Sequence, residues 1–477
     1  MKVLARLVAL MLFGCLAINT SAQSIQQRKT DSVFQLVKKY VRAKNAAAIH
    51  ELASPEFKQA IPLANFQSFL SQDIFSFGQL KSDSLVSFLN NIKAGYKLHF
   101  DKTDRLLSIS LDKNNKLDYF QSLPYVVVNN KTQLVASSNP LITIQDKKVD
   151  SLARGYIQRS NTVGLSIGII KNGKTSIYNY GETAKNSKKL PDGNTLFEIG
   201  SLTKTYTGTL LAYYVNKGVI SLNDPISKFL PASVAANPAL AEIKLLNLSN
   251  HTSGLPGLPP DFTLQRPYDE ANPYNYYSTQ MVFDYLQKCT LKTKPGEKFD
   301  YSNLGAGLLG IILEKVSGRS FEKMIAEVIT QPLGMKNTVQ HLYPMLTPRF
   351  APVYDETGNP TSAWDFDALA SAGALRSSMN DLVLYAIANM NSKGLTPLNK
   401  AIDLTHQVTV SNSDAKVGLG WFISTINGVD YYFHGGGTGG SSSFFAFNQA
   451  ENLAVIILSN AVESTDPMGV GLIKKLQ

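Results

Sequence analysis

At 477 residues the chain exceeds what one hydrophobic core usually serves, so two or more domains are expected. Hydrophobic residues make up 44% and charged residues 17%, an ordinary globular balance that excludes a largely disordered chain. The formal charge of +10 does not imply a nucleic-acid partner, because Lys and Arg are scattered and pairs such as Lys147-Lys148 and Lys188-Lys189 are too short to line a phosphate groove.

In chain order, Lys2 and Arg6 precede an apolar run from Leu7 to Ile18, and Thr20-Ser21-Ala22 supplies small residues before Gln23. That is the pattern of a signal peptide over residues 1–22, cleaved after Ala22, and it implies a periplasmic or secreted protein. The run is too short for an integral membrane span. Leu12-Phe13-Gly14-Cys15 offers a rival reading, lipoprotein anchoring at Cys15, which the bulk of Phe13 disfavours. After cleavage only Cys289 remains, so no intramolecular disulfide is expected.

Residues 24–138 carry their own pattern. Val33, Phe34, Leu36, Val37, Tyr40 and Val41 share a helical face behind a cap expected at Thr30 or Asp31. Tyr96, Leu98 and Phe100, then Leu107, Ile109 and Leu111, alternate as strands, with turn residues at Asp101 to Asp104 and Asp112 to Asn115. This predicts a small α+β accessory domain whose order of elements resembles the cone-shaped domains related to nuclear transport factor 2. No catalytic cluster stands out in it, so binding or spacing is its default role.

A second domain is expected over 142–477. It opens with a helix from Val149 to Ile157 and a hairpin in which Val163, Leu165, Ile167 and Ile169 alternate before an Asn172-Gly173 turn. Gly164-Leu165-Ser166-Ile167-Gly168 within that hairpin matches the Gly-x-Ser-x-Gly elbow, but the elbow works only at a sharp turn from strand to helix, so Ser166 is read as a chance match. Gly200-Ser201-Leu202-Thr203-Lys204 is the better candidate. A helix read from Leu202 through Tyr213 puts Ser201 at its first turn and Lys204 one turn on, on the same face. A serine hydroxyl needs a base, and a buried amine loses its own proton through desolvation. Ser-x-x-Lys alone is a feeble signal, since it recurs at Ser110, Ser320 and Ser413.

Two further elements supply context. Tyr301-Ser302-Asn303 precedes a helix start at Leu304 to Leu313, and its phenol could act as a base if Lys204 stabilised the anion. Tyr214-Val215-Asn216 repeats the triplet inside a predicted helix. Farther on, a strand from Tyr431 runs into His434-Gly435-Gly436-Gly437, where glycines let a ligand approach the backbone.

Taken in order, Ser201-x-x-Lys204, Tyr301-x-Asn303 and His434-Gly435-Gly436 resemble the three active-site motifs of the serine β-lactamase and penicillin-binding-protein superfamily, especially class C β-lactamases, D-aminopeptidases and related esterases. The resemblance extends to His251-Thr252-Ser253-Gly254-Leu255-Pro256, Ala372-Gly373-Ala374-Leu375 and Gly418-Leu419-Gly420-Trp421. It implies an α+β fold, an antiparallel sheet flanked by helices plus a helical region. It further implies Ser201 as acylated nucleophile, Lys204 and Tyr301 as the proton-transfer pair, and Asn303, His434, Gly435 and Gly436 as substrate-binding residues. The N–H groups of Ser201 and Gly437 would form the oxyanion hole. No metal or other cofactor is implied, and the six histidines form no metal motif.

Penicillin-hydrolysing relatives usually carry Lys-Thr-Gly at the third motif, where amine and hydroxyl hold a substrate carboxylate; His434-Gly435 departs from this and shifts the expectation toward an ester, amide or D-amino-acid peptide. His251 is read as fixing a loop beneath the cleft. The expected partners are a small-molecule or peptide substrate and peptidoglycan. The alternative reading is a catalytically weak penicillin-binding-like protein that binds or senses cell-wall peptides.

Overall fold

The computed structural model describes residues 24–477 apart from 90–92, 127, 264–266, 292 and 413–414. The signal peptide read in residues 1–22, Cys15 with it, and the repeat of Ser-x-x-Lys at Ser413 lie outside the described residues. The chain divides between Val127 and Val128 into two compact units. Residues read from sequence as the end of the first segment hydrogen-bond into the second: Lys131 N donates to Gln158 O (2.6 Å) and Ser138 N to Asn179 O (2.9 Å).

In the first unit, helix α1 (Ile25–Arg42) buries Phe34, Val37 and Val41, as its apolar spacing requires. Its cap is Ser24, whose hydroxyl accepts from Gln27 N (3.1 Å), rather than Thr30 or Asp31. Thr30 lies within the helix, where its hydroxyl donates back to Gln26 O (3.0 Å). Four strands, β1 (Leu80–Leu89), β2 (Lys93–Phe100), β3 (Asp104–Leu111) and β4 (Leu117–Pro124), form an antiparallel meander. Phe34 stacks on Tyr96, whose hydroxyl donates to Asp31 Oδ1 (2.5 Å), so helix and sheet share one core.

The second unit is built on an eight-stranded, wholly antiparallel sheet. Strands β5 (Gly164–Lys171) and β6 (Lys174–Gly181) are the expected hairpin, with Asn172 (φ 51°) and Gly173 (φ 74°) in the left-handed region that such a tight turn demands. β7 (Leu196–Glu198) pairs with β8 (Arg376–Ser378) in a separate two-stranded sheet. The main sheet runs β6, β5, β14 (Leu453–Ser459), β13 (Ser442–Asn448), β12 (Val429–Gly437), β11 (Phe422–Ile426), β10 (Lys416–Val417), β9 (Val410–Ser411). Its central strands are buried on both faces, which is why β14 reads as an unbroken apolar run, Leu-Ala-Val-Ile-Ile-Leu. Leu165, Ile167, Ile169, Phe444 and Val455 form one core with Val149 and Ile157 of the helix Ile144–Ile157 and with Leu472 and Ile473 of the C-terminal helix Asp466–Leu476. The helix Met379–Met390 covers the opposite face, where Met379 lies over Gly168. Among the described residues no helix is long and apolar enough to cross a membrane.

Candidate active site

The chain leaves β7 through Ile199, whose N–H donates to Leu375 O (3.0 Å), and Gly200 turns it at φ 50°. One 3₁₀ turn, Gly200–Leu202, leads into the helix Thr203–Asn216. Ser201 therefore stands on the turn that opens a helix, with Lys204 next to it, as the sequence predicts. Lys204 is buried, and its Nζ lies 3.1 Å from Ser201 Oγ, 2.7 Å from Asn303 Oδ1 and 2.6 Å from the Ala372 carbonyl. None of these three is charged. Desolvation holds the amine well below the ordinary lysine range. A neutral amine has two N–H donors and one lone pair. Donating to Asn303 Oδ1 and Ala372 O uses both donors and leaves the lone pair for the serine O–H.

Tyr301 lies on the loop before the helix Asn303–Ser317, which Ser302 caps by accepting from Gly305 N (2.8 Å). Its phenol hydrogen-bonds Ser201, and Lys204 Nζ sits 4.9 Å from the ring centroid. Burial pushes the phenol up, an effect that its bond to Ser201 only partly offsets. The same burial that lowers the amine raises the phenol, so both shifts favour the neutral forms over a phenolate held by a charged Lys204. His251 (φ 60°) accepts from Ser302 N at Nδ1 (3.1 Å), and its carbonyl accepts from Asp300 N (2.8 Å). With its ring 4.4 Å from that of Tyr301, His251 fixes the tyrosine loop. Desolvation first, then the nearby Lys204 and His434, hold it well below the usual histidine value.

Two participants have roles that the sequence reading did not assign. Ala372 contributes only a carbonyl, and Tyr274 contributes a hydroxyl that accepts from Asn303 Nδ2 (3.3 Å). The Asn303 amide thus bridges Lys204 and Tyr274. Tyr274 in turn stacks on Phe366 (4.4 Å), which faces Gly373 beside the Ser201 turn.

The third motif closes the site by backbone contact. A Cβ on Gly436 would lie 2.0 Å from Ile199 O, and one on Gly200 would lie 2.6 Å from Gly437 N. Thr438 N donates to Ser441 O, so the alternation of an antiparallel ladder turns the Gly437 N–H away from β13, on the strand edge beside Gly200. The His434 ring is 1% exposed, so it does not open to solvent. It packs against Phe422 and Tyr301, and its Nδ1 lies 2.5 Å from Gly435 O. Desolvation and Lys204 bring it down to about 3, so the imidazole is neutral despite the opposing backbone bond.

The decoys fall elsewhere. Ser166 is buried in β5, donating to Asn179 Oδ1 (2.7 Å). Tyr214 lies inside the helix Thr203–Asn216, Ser320 caps another helix, and Ser110 bonds Asp118 in the first unit.

A serine on a helix-opening turn, touching a buried amine and a buried phenol under a glycine-lined strand edge, has the geometry of a serine hydrolase site. The β-lactamase family profile matches residues 149–474, and the chain belongs to that family. A β-lactamase of Pseudomonas fluorescens is 35% identical over 274 residues, 57% of this chain and 73% of that protein. The D-alanyl-D-alanine-carboxypeptidase/endopeptidase AmpH of Escherichia coli (strain K12) is 33% identical over 192 residues, 40% of this chain and 48% of that protein. Among solved structures, a class C β-lactamase superposes with TM-score 0.62 at 25% identity, covering 70% of this chain and 96% of its own. The chain is a serine hydrolase of the β-lactamase family.

Proposed function

We propose that this is an exported hydrolase that acts through an acyl-enzyme on Ser201, cleaving an ester, amide or D-amino-acid peptide in preference to β-lactams. Export rests on the leader in residues 1–22. The observation that carries the chemistry is Lys204 Nζ, buried and 3.1 Å from Ser201 Oγ with both amine hydrogens engaged elsewhere. Lys204 takes the serine proton as Oγ bonds to the substrate carbonyl carbon, and the carbonyl electron pair moves onto oxygen between the N–H groups of Ser201 and Gly437. As the bond to the leaving group breaks, Tyr301 passes it a proton and regains one from the Lys204 ammonium. Water then releases the acyl group by the same route. Asn303 holds Lys204, and the backbone of Gly435 and Gly436 forms the opposite wall, with the His434 ring packed behind Tyr301. His434 is neutral and Gly435 has no hydroxyl, which argues against anchoring a β-lactam carboxylate.

A serine-reactive phosphonate is expected to add its mass to the peptide containing Ser201. A folded protein that stays unlabelled would favour the alternative reading, a weak binder or sensor of cell-wall peptides.

The pH dependence follows from the shifts. The base form of Lys204 is active and its pKa is lowered, so kcat/KM falls only as pH drops through a value far under the free-lysine 10.5. The phenol is raised, so no alkaline limb from Tyr301 is expected at or below its free value of 10.0. An acid limb at the free-lysine value would contradict the Lys204 shift, and an alkaline limb from Tyr301 below 10.0 would contradict the tyrosine shift.

A further inference from the structure

Gly435 sits in the middle of the third motif, and its φ is not in the left-handed region, so backbone conformation does not demand a glycine there. Space does. A Cβ on Gly435 would lie 2.7 Å from Asp466 Oδ1 and 3.0 Å from Oδ2, so the aspartate occupies the room that a side chain at 435 would fill. Asp466 is the first residue of the C-terminal helix, and the residue before it is tied to the site. Thr465 N donates to Ser442 Oγ (3.0 Å), and Ser442 is the register partner of Gly437. Along the strand, Gly435 lies about 7 Å from Gly437.

An aspartate at a helix start ordinarily serves the helix by accepting its free N–H groups. Asp466 does not do this. The cap makes no side-chain bond, Pro467 has no N–H to give, and Asp466 bonds through its own N–H, which donates to Ser464 Oγ (3.3 Å). Among the described residues its carboxyl has no ion-pair partner, and desolvation raises it to about 7. The residue as a whole is half-buried.

We infer that Asp466, lying over Gly435, is the specificity element of the third motif: it takes a cationic group of the substrate, an ammonium or quaternary amine about 7 Å from the reacting carbonyl, and turns away a carboxylate in that place. This rests on the acyl-enzyme reading above and names its substrate class. A carboxyl that is costly to ionise alone gains its counter-ion when a cation arrives, whereas an anionic substrate meets like charge with no compensating donor at 435.

The test uses matched substrates with the charge on either side of the scissile bond. One set is the p-nitroanilides of D-alanine, N-acetyl-D-alanine and N-succinyl-D-alanine. The other is the butyrate esters of choline, 3,3-dimethylbutanol and 3-hydroxypropanoate. In at least one set kcat/KM for the cation should exceed that of its neutral isostere by about tenfold or more, with the carboxylate slowest of the three. Asp466→Asn and Asp466→Ser should collapse the ratio of cation to neutral toward one. A wild-type ratio near one in both sets, or a ratio that survives both substitutions, overturns the inference while phosphonate labelling of Ser201 leaves the acyl-enzyme reading intact. Failure of that labelling overturns both.

Discussion

Lys204→Met is expected to lower kcat/KM for an activated ester by about 10²–10⁴, the range lost with a positioned general base. Methionine fills much the same volume but cannot take the Ser201 proton. It also leaves Asn303 Oδ1 and the Ala372 carbonyl without their donor, at about 1–3 kcal/mol for each buried acceptor, so the variant should melt earlier as well. The two effects separate, because stability is read by thermal unfolding and catalysis by the single-turnover rate of Ser201 acylation under conditions where the variant is folded. Lys204→Arg should restore none of the activity: guanidinium keeps its proton and offers no lone pair. An acylation rate within tenfold of wild type in either variant means that the base is elsewhere.

The residues to which the proposed chemistry is assigned were legible in the sequence. Ser201 with Lys204, and Tyr301 with Asn303, must be those residue types at those spacings, and the structure brings their side chains together across intervals of about a hundred positions. The β5–β6 hairpin was readable for a similar reason, since Asn172-Gly173 meets a backbone demand few other pairs satisfy. Contributions that any residue can make left no trace. The Ala372 carbonyl is backbone, and Tyr274 was one tyrosine in a loop with several. β7 and β8, three residues each, are too short for periodicity to register. His434 shows the opposite failure: its place in the motif was read correctly, but whether its ring faces the cleft or packs behind Tyr301 depends on Phe422, a strand away. The direction of the pKa shifts also needed the fold, because only burial reveals that the amine is lowered and the phenol raised.

Gly436→Ala should be the second most damaging change, through position alone. Its Cβ would stand 2.0 Å from Ile199 O and 2.5 Å from Ser443 Oγ, and Ser443 Oγ already donates to that same carbonyl (2.8 Å). The obstacle is backbone on the turn that carries Ser201, so no side-chain rotation relieves it, and β12 and the turn must separate. A displacement of about 1 Å between a nucleophile and its oxyanion donors costs roughly 10²-fold in rate, and overpacking adds about 1–3 kcal/mol of instability. Gly428→Ala supplies the control. Gly428 sits at φ 81° with nothing within 4 Å of a Cβ, so an alanine there strains a surface turn by about 1–2 kcal/mol and should leave kcat/KM unchanged. Urea unfolding should show both variants weakened, and ester hydrolysis should show only Gly436→Ala disabled. Equal activity in the two would mean that the Ser201 turn does not depend on the third-motif strand for its position.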